Sequence, residues 1–283
     1  MKKPQWITAT VALVLVVGLY AATQKQIFGK KEKNTKHGAV AAASGISIDT
    51  ILVHAKENLS PQQITRLNML EKTISRGDVT TQQIHVYHQL ARFWYDSARS
   101  FEPYAWYTAE AARLENSENS LTFAAHLFLN NLRAEENPVL KQWKALQAKD
   151  LFERSLKLNP ANDSSEVGMG AVYLYGGISE SPMEGIQRIR KVADEHPANV
   201  YAQMTLGHAS VMSGQLNKGV ERFKTVAELQ PDNLEAILSL ADVYERMGDK
   251  ANAVVWYKKS LPLIQISGVR KEVDIRIAEL SKK

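Results

Sequence analysis

Histidine is the residue type in this sequence whose spacing comes nearest to a chemical site. His85 and His88 stand three residues apart in a stretch with helical periodicity, so both imidazole rings could share one metal ion. No third or fourth ligand, such as a nearby Asp or Glu, is evident in the sequence. We therefore interpret the pair as structural or solvated side chains, and a hydrolase or metal enzyme that uses the pair is the rival hypothesis.

Other catalytic patterns are incomplete. The segment Gly168-Met169-Gly170 imitates a dinucleotide-binding fingerprint, but it lacks the preceding strand and the third glycine. No Ser, His and acid arrangement with a nucleophile turn appears. The chain has no Cys, which excludes disulfides, thiolate catalysis and Cys-ligated zinc. The sequence therefore predicts no catalytic residues, no metal site and no cofactor, and we expect the protein not to be an enzyme.

Two prolines set the register of the helices. Pro197 and Pro231 lie 34 positions apart, and the residues around them repeat in step. Aligned on these prolines, the matching pairs are Leu206 with Leu240, Gly207 with Ala241, Gly214 with Gly248, Gly219 with Ala253, and Phe223 with Tyr257. Small side chains let two helices approach closely, an aromatic ring fills the space between helix pairs, and glycine supplies the turn. The spacing predicts two-helix units that each end at a proline.

This pattern resembles the tetratricopeptide repeat. Pro160 extends it one unit earlier, with three residues inserted in the turn at 177–182. The resemblance covers roughly residues 83–265 and implies an all-α fold, an α-solenoid of antiparallel helix pairs wound into a superhelix. We expect leading helices at 46–82 and a C-terminal capping helix at 266–283, where Val273, Ile277 and Leu280 form one apolar stripe.

The resemblance also implies a binding face, because the first helix of each tetratricopeptide unit lines the concave groove. The residues that it places there are Val167, Leu174, Tyr201, Met204, His208, Val211, Leu238, Asp242 and Glu245. This predicted groove is apolar in the middle and acidic towards its end. The Lys, Arg and Asn side chains that clamp a peptide carboxylate are missing from these places. A hydrophobic or basic segment of a protein is therefore the expected ligand.

The amino-terminal region predicts a membrane anchor at 1–24. Residues 6–22 carry no charge and are long enough for a single transmembrane helix, with Trp6 and Tyr20 near its ends. The alternative is a cleaved signal peptide, although cleavage after Ala22 would place bulky Tyr20 three residues before the cut. Residues 25–45 are predicted to form a flexible basic tether. Up to residue 36 there are seven Lys and one acidic residue, so the net charge of +5 points to membrane contact and not to nucleic acid.

Together these features favour a non-enzymatic interaction scaffold or adaptor. We expect it to be a single-pass protein of the cell (inner) membrane, with a protein or peptide partner, no nucleic acid and no small-molecule substrate. Lys2 and Lys3 beside the apolar run favour an extracytoplasmic or periplasmic domain, whereas the larger number of Lys after the run favours a cytoplasmic one. The last three units with the capping helix are also similar to membrane-bound helper proteins of cytochrome c maturation, which gives an alternative role.

Overall fold

The computed structural model describes residues 45–74, 80–178 and 182–282, and every regular element in these ranges is helical. The helices are α1 (Ile48–Lys56), α2 (Pro61–Ile74), α3 (Thr80–Arg92), α4 (Phe101–Glu115), α5 (Glu118–Leu132), α6 (Pro138–Leu158), α7 (Asp163–Tyr175), α8 (Pro182–Glu195), α9 (Val200–Met212), α10 (Leu216–Leu229), α11 (Leu234–Arg246), α12 (Lys250–Ser260) and α13 (Ser267–Leu280). A π-helical turn, Phe93–Ser97, prolongs α3, and a 3₁₀ turn, Leu261–Leu263, follows α12.

The predicted anchor (1–24) and all but the last residue of the predicted tether (25–45) lie outside the described residues. Within the described ranges, no helix combines the length and apolarity needed to cross a bilayer.

Five successive helix pairs build the array. The two helices of each pair pack closely on each other, namely α3 with α4, α5 with α6, α7 with α8, α9 with α10, and α11 with α12. Each pair also contacts the next, and α13 packs on α12. Short connections between packed neighbours make the paired helices antiparallel. The prediction of an all-helical, tetratricopeptide-like solenoid is confirmed for the described part of the chain.

The start of each regular unit is fixed by an asparagine that stands two residues after a repeat proline. The side chains of Asn162, Asn199 and Asn233 accept hydrogen bonds from the backbone N–H groups of Ser165, Ala202 and Ala236, at 2.8, 3.0 and 2.9 Å. Each bond satisfies one of the N–H groups that have no partner inside the helix. The recurring motif is therefore Pro-x-Asn, in which proline follows one helix and asparagine begins the next.

Small residues bring the paired helices together, as the alignment predicted. A Cβ atom on Gly207 of α9 would lie 2.4 Å from the Phe223 ring of α10, and one on Gly185 would lie 2.4 Å from the Gly170 carbonyl oxygen. In the turns, Gly214 has φ of +75°, in the left-handed region that favours glycine. Glycine therefore serves two distinct purposes in these units, helix approach and chain reversal.

The buried apolar side chains run through the stacked pairs as three adjoining clusters. One extends from α1 to α7, with Trp94, Phe128 and Trp143 almost fully buried, and it covers the amino-terminal pairs. A small cluster centred on Ile189 joins α7, α8 and α9, and the last extends from α9 to α13 around Phe223. Because neighbouring pairs share these clusters, each pair depends on the next for its core.

Candidate functional site

A pocket of about 190 Å³ lies where the first helices of four consecutive units meet. We call it the central groove, and define it by Arg133, Tyr175, Tyr201, Met204, His208 and Glu235. Arg133 follows the last residue of α5, Tyr175 ends α7, and Glu235 lies in the first turn of α11. The remaining three residues lie on α9 at spacings of three and four, which place them on one helix face. Four units therefore contribute to a single pocket.

Two phenol groups line the central groove. Burial raises the pKa of the Tyr175 and Tyr201 hydroxyls, and each stays protonated as a hydrogen-bond donor at neutral pH. The Tyr201 ring packs edge-on against the imidazole of His126, with centroids 5.5 Å apart. Within the part of the chain that the structure describes, neither hydroxyl makes a hydrogen bond to the protein. Both hydroxyls are therefore available to a ligand.

The charged side chains near these phenols differ in the partners that they have. The guanidinium carbon of Arg133 lies 5.2 Å from the Tyr175 ring centre, and among the described residues no carboxylate forms an ion pair with this arginine. His208 Nε2 and Glu235 Oε1 are 3.0 Å apart. This hydrogen bond lowers the pKa of Glu235, with a smaller opposing effect of burial and further lowering by Arg133. The groove thus contains an ionised carboxylate that is hydrogen-bonded to His208 and a cation that contacts an aromatic ring but, among the described residues, no carboxylate.

The structure brings together three of the predicted groove residues, Tyr201, Met204 and His208. Leu174, Val211 and Leu238 are partly buried against the core clusters and do not line the central groove. Val167 has no exposed surface, because it packs in the cluster around Ile189. The expectation that Val167 faces a partner therefore needs correction: its side chain belongs to the core. Helical periodicity indicates a face, but it does not indicate how closely the next unit covers that face.

The two acids predicted for the far end of the groove are engaged within the chain. The Tyr257 hydroxyl lies 2.5 Å from Asp242 Oδ1 and 3.1 Å from Glu245 Oε2. Arg276 of α13 also donates to Glu245, with Nε 2.9 Å from Oε2. The capping helix thus supplies the cation that this acidic end was expected to take from a partner, which removes much of the reason to expect a basic ligand.

Sequence reasoning missed Arg133, Tyr175 and Glu235 as members of one pocket. Arg133 lies one residue beyond α5, and Tyr175 follows the last of the four repeat places in its unit. Glu235 does occupy a repeat place, but its contact with His208 spans 27 positions in the chain. A sequence signal therefore exists for Glu235, through its repeat place, and for Tyr175, as an aromatic residue next to the predicted Leu174, whereas Arg133 has none.

The two histidines with metal-like spacing make separate contacts. His85 Nε2 lies 3.0 Å from Gln89 on its own helix, whereas His88 Nε2 lies 2.6 Å from Glu115 Oε1 at the end of α4. Across the described ranges, no three His, Asp or Glu side chains are grouped so that they could hold a metal ion. The geometry therefore gives no support to a metal enzyme based on His85 and His88.

Fold and groove together define a tetratricopeptide-like solenoid. Residues 234–263, which span α11 and α12, match the tetratricopeptide repeat family model. No curated protein sequence matches the chain.

Solved structures that resemble the chain are repeat proteins of this fold. PilW, a widely conserved type IV pilus biogenesis factor, is 18% identical with a TM-score of 0.50 over 70% of this chain and 85% of its own. MamA from Desulfovibrio magneticus RS-1 is 22% identical, with a TM-score of 0.44 over 66% and 96%. YrrB, a tetratricopeptide protein with an unusual peptide-binding site, is 15% identical, with a TM-score of 0.43 over 73% and 97%. At 18% identity, the similarity to PilW establishes the fold alone.

Proposed function

We propose that this chain is a non-enzymatic interaction scaffold, held at a membrane, that binds a segment of a partner protein in its central groove. One observation carries the proposal: the Tyr175 and Tyr201 hydroxyls line the groove without a hydrogen-bond partner among the described residues. Such donors are satisfied by water in the free protein, and backbone carbonyl groups of a bound segment can replace that water. Hydroxyls of this kind fix the orientation of a ligand in a largely apolar pocket.

The chemistry of the groove favours an extended, apolar segment. Leu129, Ala171 and Met204 supply the apolar part of the lining. The acids predicted at the far end are already paired with Tyr257 and Arg276, which supports the hydrophobic choice over the basic one. We therefore assign a partner segment with an apolar side chain for the pocket and free backbone carbonyl groups for the phenols. Nucleic acid and small-molecule substrates have no place in this proposal.

Membrane attachment is part of the proposal and rests on residues outside the described ranges. The uncharged run at 6–22, with lysines on both sides, supports a single transmembrane helix. The lysines directly before the run support an inner-membrane protein whose repeat domain lies in the periplasm or another extracytoplasmic space. The scaffold would then act on proteins that are exported or assembled at that membrane.

The test uses a photo-crosslinking amino acid in place of Asn130, an exposed residue that lines the groove. In cells that express the full-length chain, we expect a discrete crosslinked product from this position and none from a crosslinker at exposed Lys271 of α13. The double variant Tyr175→Phe/Tyr201→Phe keeps both rings and removes both hydroxyls. It should reduce the product about tenfold, as expected for the loss of two hydrogen bonds.

A matched control separates groove binding from a general loss of charge or stability. Arg133→Gln should also weaken the product, whereas Arg246→Gln, at the exposed end of α11, should leave it unchanged. Equal crosslinking by the wild-type chain and the double tyrosine variant would show that the hydroxyls bind nothing. The proposal would then fail.

An assembly helper in cytochrome c maturation is the alternative. Its support is the succession of three regular units and the terminal helix α13, the region in which the sequence pattern suggests a resemblance to such helpers. Deletion of the gene should then abolish covalent haem attachment to c-type cytochromes, measured by haem staining of membrane fractions. Normal haem attachment in the deletion strain would leave the general scaffold as the better description.

A further inference from the structure

A second groove lies between the second helices of two neighbouring pairs, α8 and α10. Its volume is about 630 Å³, and α9 forms its floor through residues that include Leu206. We call it the outer groove. On α9 the outer groove is lined at 206, 209 and 210, and by residue 213 just after the helix, whereas the central groove is lined at 201, 204, 205 and 208. At 100° per residue, the centres of these two stripes are about 140° apart, on largely opposite sides of α9. The two grooves are therefore separate surfaces that share one helix.

Three cations line the outer groove: Arg190 on α8, and Lys218 and Arg222 on α10. Among the described residues, none of the three forms an ion pair with a carboxylate. Lys218 donates instead to the Gln215 side chain at 2.7 Å. A single carboxylate, Glu221, lines the same groove. The lining therefore carries an excess of positive charge that the described residues do not compensate.

Two successive hydrogen bonds fix the orientation of the Arg222 guanidinium. Its Nη1 donates to Gln203 Oε1 at 2.8 Å, and Gln203, which is buried, donates in turn to the Pro197 carbonyl oxygen at 2.9 Å. This chain of hydrogen bonds links the groove cation to the end of the preceding unit. A side chain that is already oriented loses less conformational entropy when it binds an anion.

Apolar side chains complete the surface. Met183 and Ile186 stand three residues apart on α8, and Met183 is 53% exposed. An exposed methionine beside an apolar floor adapts to side chains of varied shape. The cations lie in a channel between two helices, where side chains of a peptide can enter and a flat bilayer cannot. The combination of cations and apolar surface matches a segment that carries acidic and apolar residues on adjacent faces.

We propose that the outer groove binds an acidic, amphipathic helical segment of a protein, separately from the ligand of the central groove. Carboxylates of the segment pair with Arg190, Lys218 and Arg222, and its apolar side chains pack on Met183, Ile186 and Leu206. The array would then hold two different protein segments on opposite sides of α9.

The experiment measures, by fluorescence anisotropy, how a fluorescent synthetic amphipathic helix binds to the full-length chain; Leu residues form one face of this helix and Glu residues the adjacent face. A second probe with Gln at every Glu position tests whether charge is required. The variant Arg190→Gln/Arg222→Gln should weaken binding of the acidic probe about tenfold. The variant Lys191→Gln/Lys250→Gln, which removes two exposed lysines outside the groove, should change it less than about twofold. Raised salt should weaken binding of the acidic probe.

Two further variants separate the groove from folding and from the central groove. Arg190→Lys/Arg222→Lys keeps the charge and should retain most of the affinity. Tyr175→Phe/Tyr201→Phe should leave it unchanged. The proposal would be overturned if Arg190→Gln/Arg222→Gln and Lys191→Gln/Lys250→Gln weakened binding of the acidic probe equally. It would also be overturned if the acidic and neutral probes bound the wild-type chain with equal affinity. It would also be overturned if vesicles of anionic phospholipid, but not the acidic helix, bound the wild-type chain through Arg190 and Arg222, since the groove would then serve a lipid surface.

Discussion

At the scale of single residues, the contact between Gly207 and Phe223 shows how the repeat pattern becomes packing. The phenylalanine ring, which is fully buried, occupies the space that a side chain at position 207 would need. Protein interiors are packed as densely as organic crystals, so neither residue can change size alone without strain or a cavity. This contact explains why the two positions recur in step along the chain.

Gly207→Ala should destabilise the protein by about 1–3 kcal/mol, because the new methyl group must displace a buried ring. The gain in helix propensity from Gly to Ala offsets part of this cost. Urea unfolding followed by circular dichroism measures the difference in free energy. Gly268→Ala on α13 is the matched control, since a Cβ there meets no atom within 4 Å, and it should be neutral or stabilising. A neutral Gly207→Ala variant would show that Phe223 can move aside freely.

An ion pair between units gives a prediction about pH. Arg113 Nε of α4 donates to Asp150 Oδ2 of α6 at 2.9 Å, and the arginine side chain is 7% exposed. Burial raises the pKa of Asp150, but Arg113 and Arg154 outweigh it and hold that pKa below its ordinary value of 3.8. A carboxyl group whose pKa is lowered by folding stabilises the protein above its ordinary pKa and loses this effect as pH falls through the folded value.

Asp150→Asn should therefore cost about 2 kcal/mol at neutral pH, since it also leaves Arg113 with one partner fewer. The free energy difference from wild type should stay constant between about pH 7 and pH 5 and shrink below about pH 4. Urea unfolding across this range measures it. Asp232→Asn, at an exposed residue between units, should cost less than about 0.5 kcal/mol throughout. A cost that does not change with pH would rule out the carboxylate charge as its source.

At the scale of helices, the Pro-x-Asn motif sets where each regular unit begins. Asn233→Ala removes the hydrogen bond to the Ala236 N–H and should cost about 1 kcal/mol. Asn217→Ala, on the exposed side of α10, is the control and should be neutral or slightly stabilising. The thermal midpoint of each variant, followed by circular dichroism, measures the effect. If both variants melted alike, the cap would contribute nothing to the stability of α11.

Helix positions and helix pairing could be predicted from the sequence because proline, glycine and aromatic residues recur in step, 34 positions apart in the last two units, and each has a local steric reason. The π-helical turn Phe93–Ser97 could not, because it lies in a divergent pair where no second copy exists for alignment. Three site residues, Tyr201, Met204 and His208, followed from the resemblance to the tetratricopeptide repeat, which implies that the first helix of each unit lines the groove. Arg133 and Tyr175 did not, because the stacking of units, which no local pattern specifies, brings them to α9.

At the scale of the whole molecule, the proposed anchor and the repeat array have separate tasks. If 6–22 spans the membrane, the full-length chain should remain in the pellet after alkaline carbonate extraction, and a chain without residues 1–24 should be released. The variant Lys25→Gln/Lys30→Gln is the control: it removes two positive charges but keeps the apolar run, so the intact chain should stay in the pellet. Release of the wild-type chain by carbonate would indicate peripheral attachment or cleavage.

The contact between Gly207 and Phe223 also bears on the engineering of such arrays. Both residues lie between Pro197 and Pro231, so a transplanted segment with these prolines as its borders carries the glycine and its ring together. A border placed between α9 and α10 would instead combine a glycine from one parent with an aromatic residue from another, and would leave either a collision or a hole. The prolines are accordingly the natural joints at which modules of this chain can be exchanged with those of other repeat proteins.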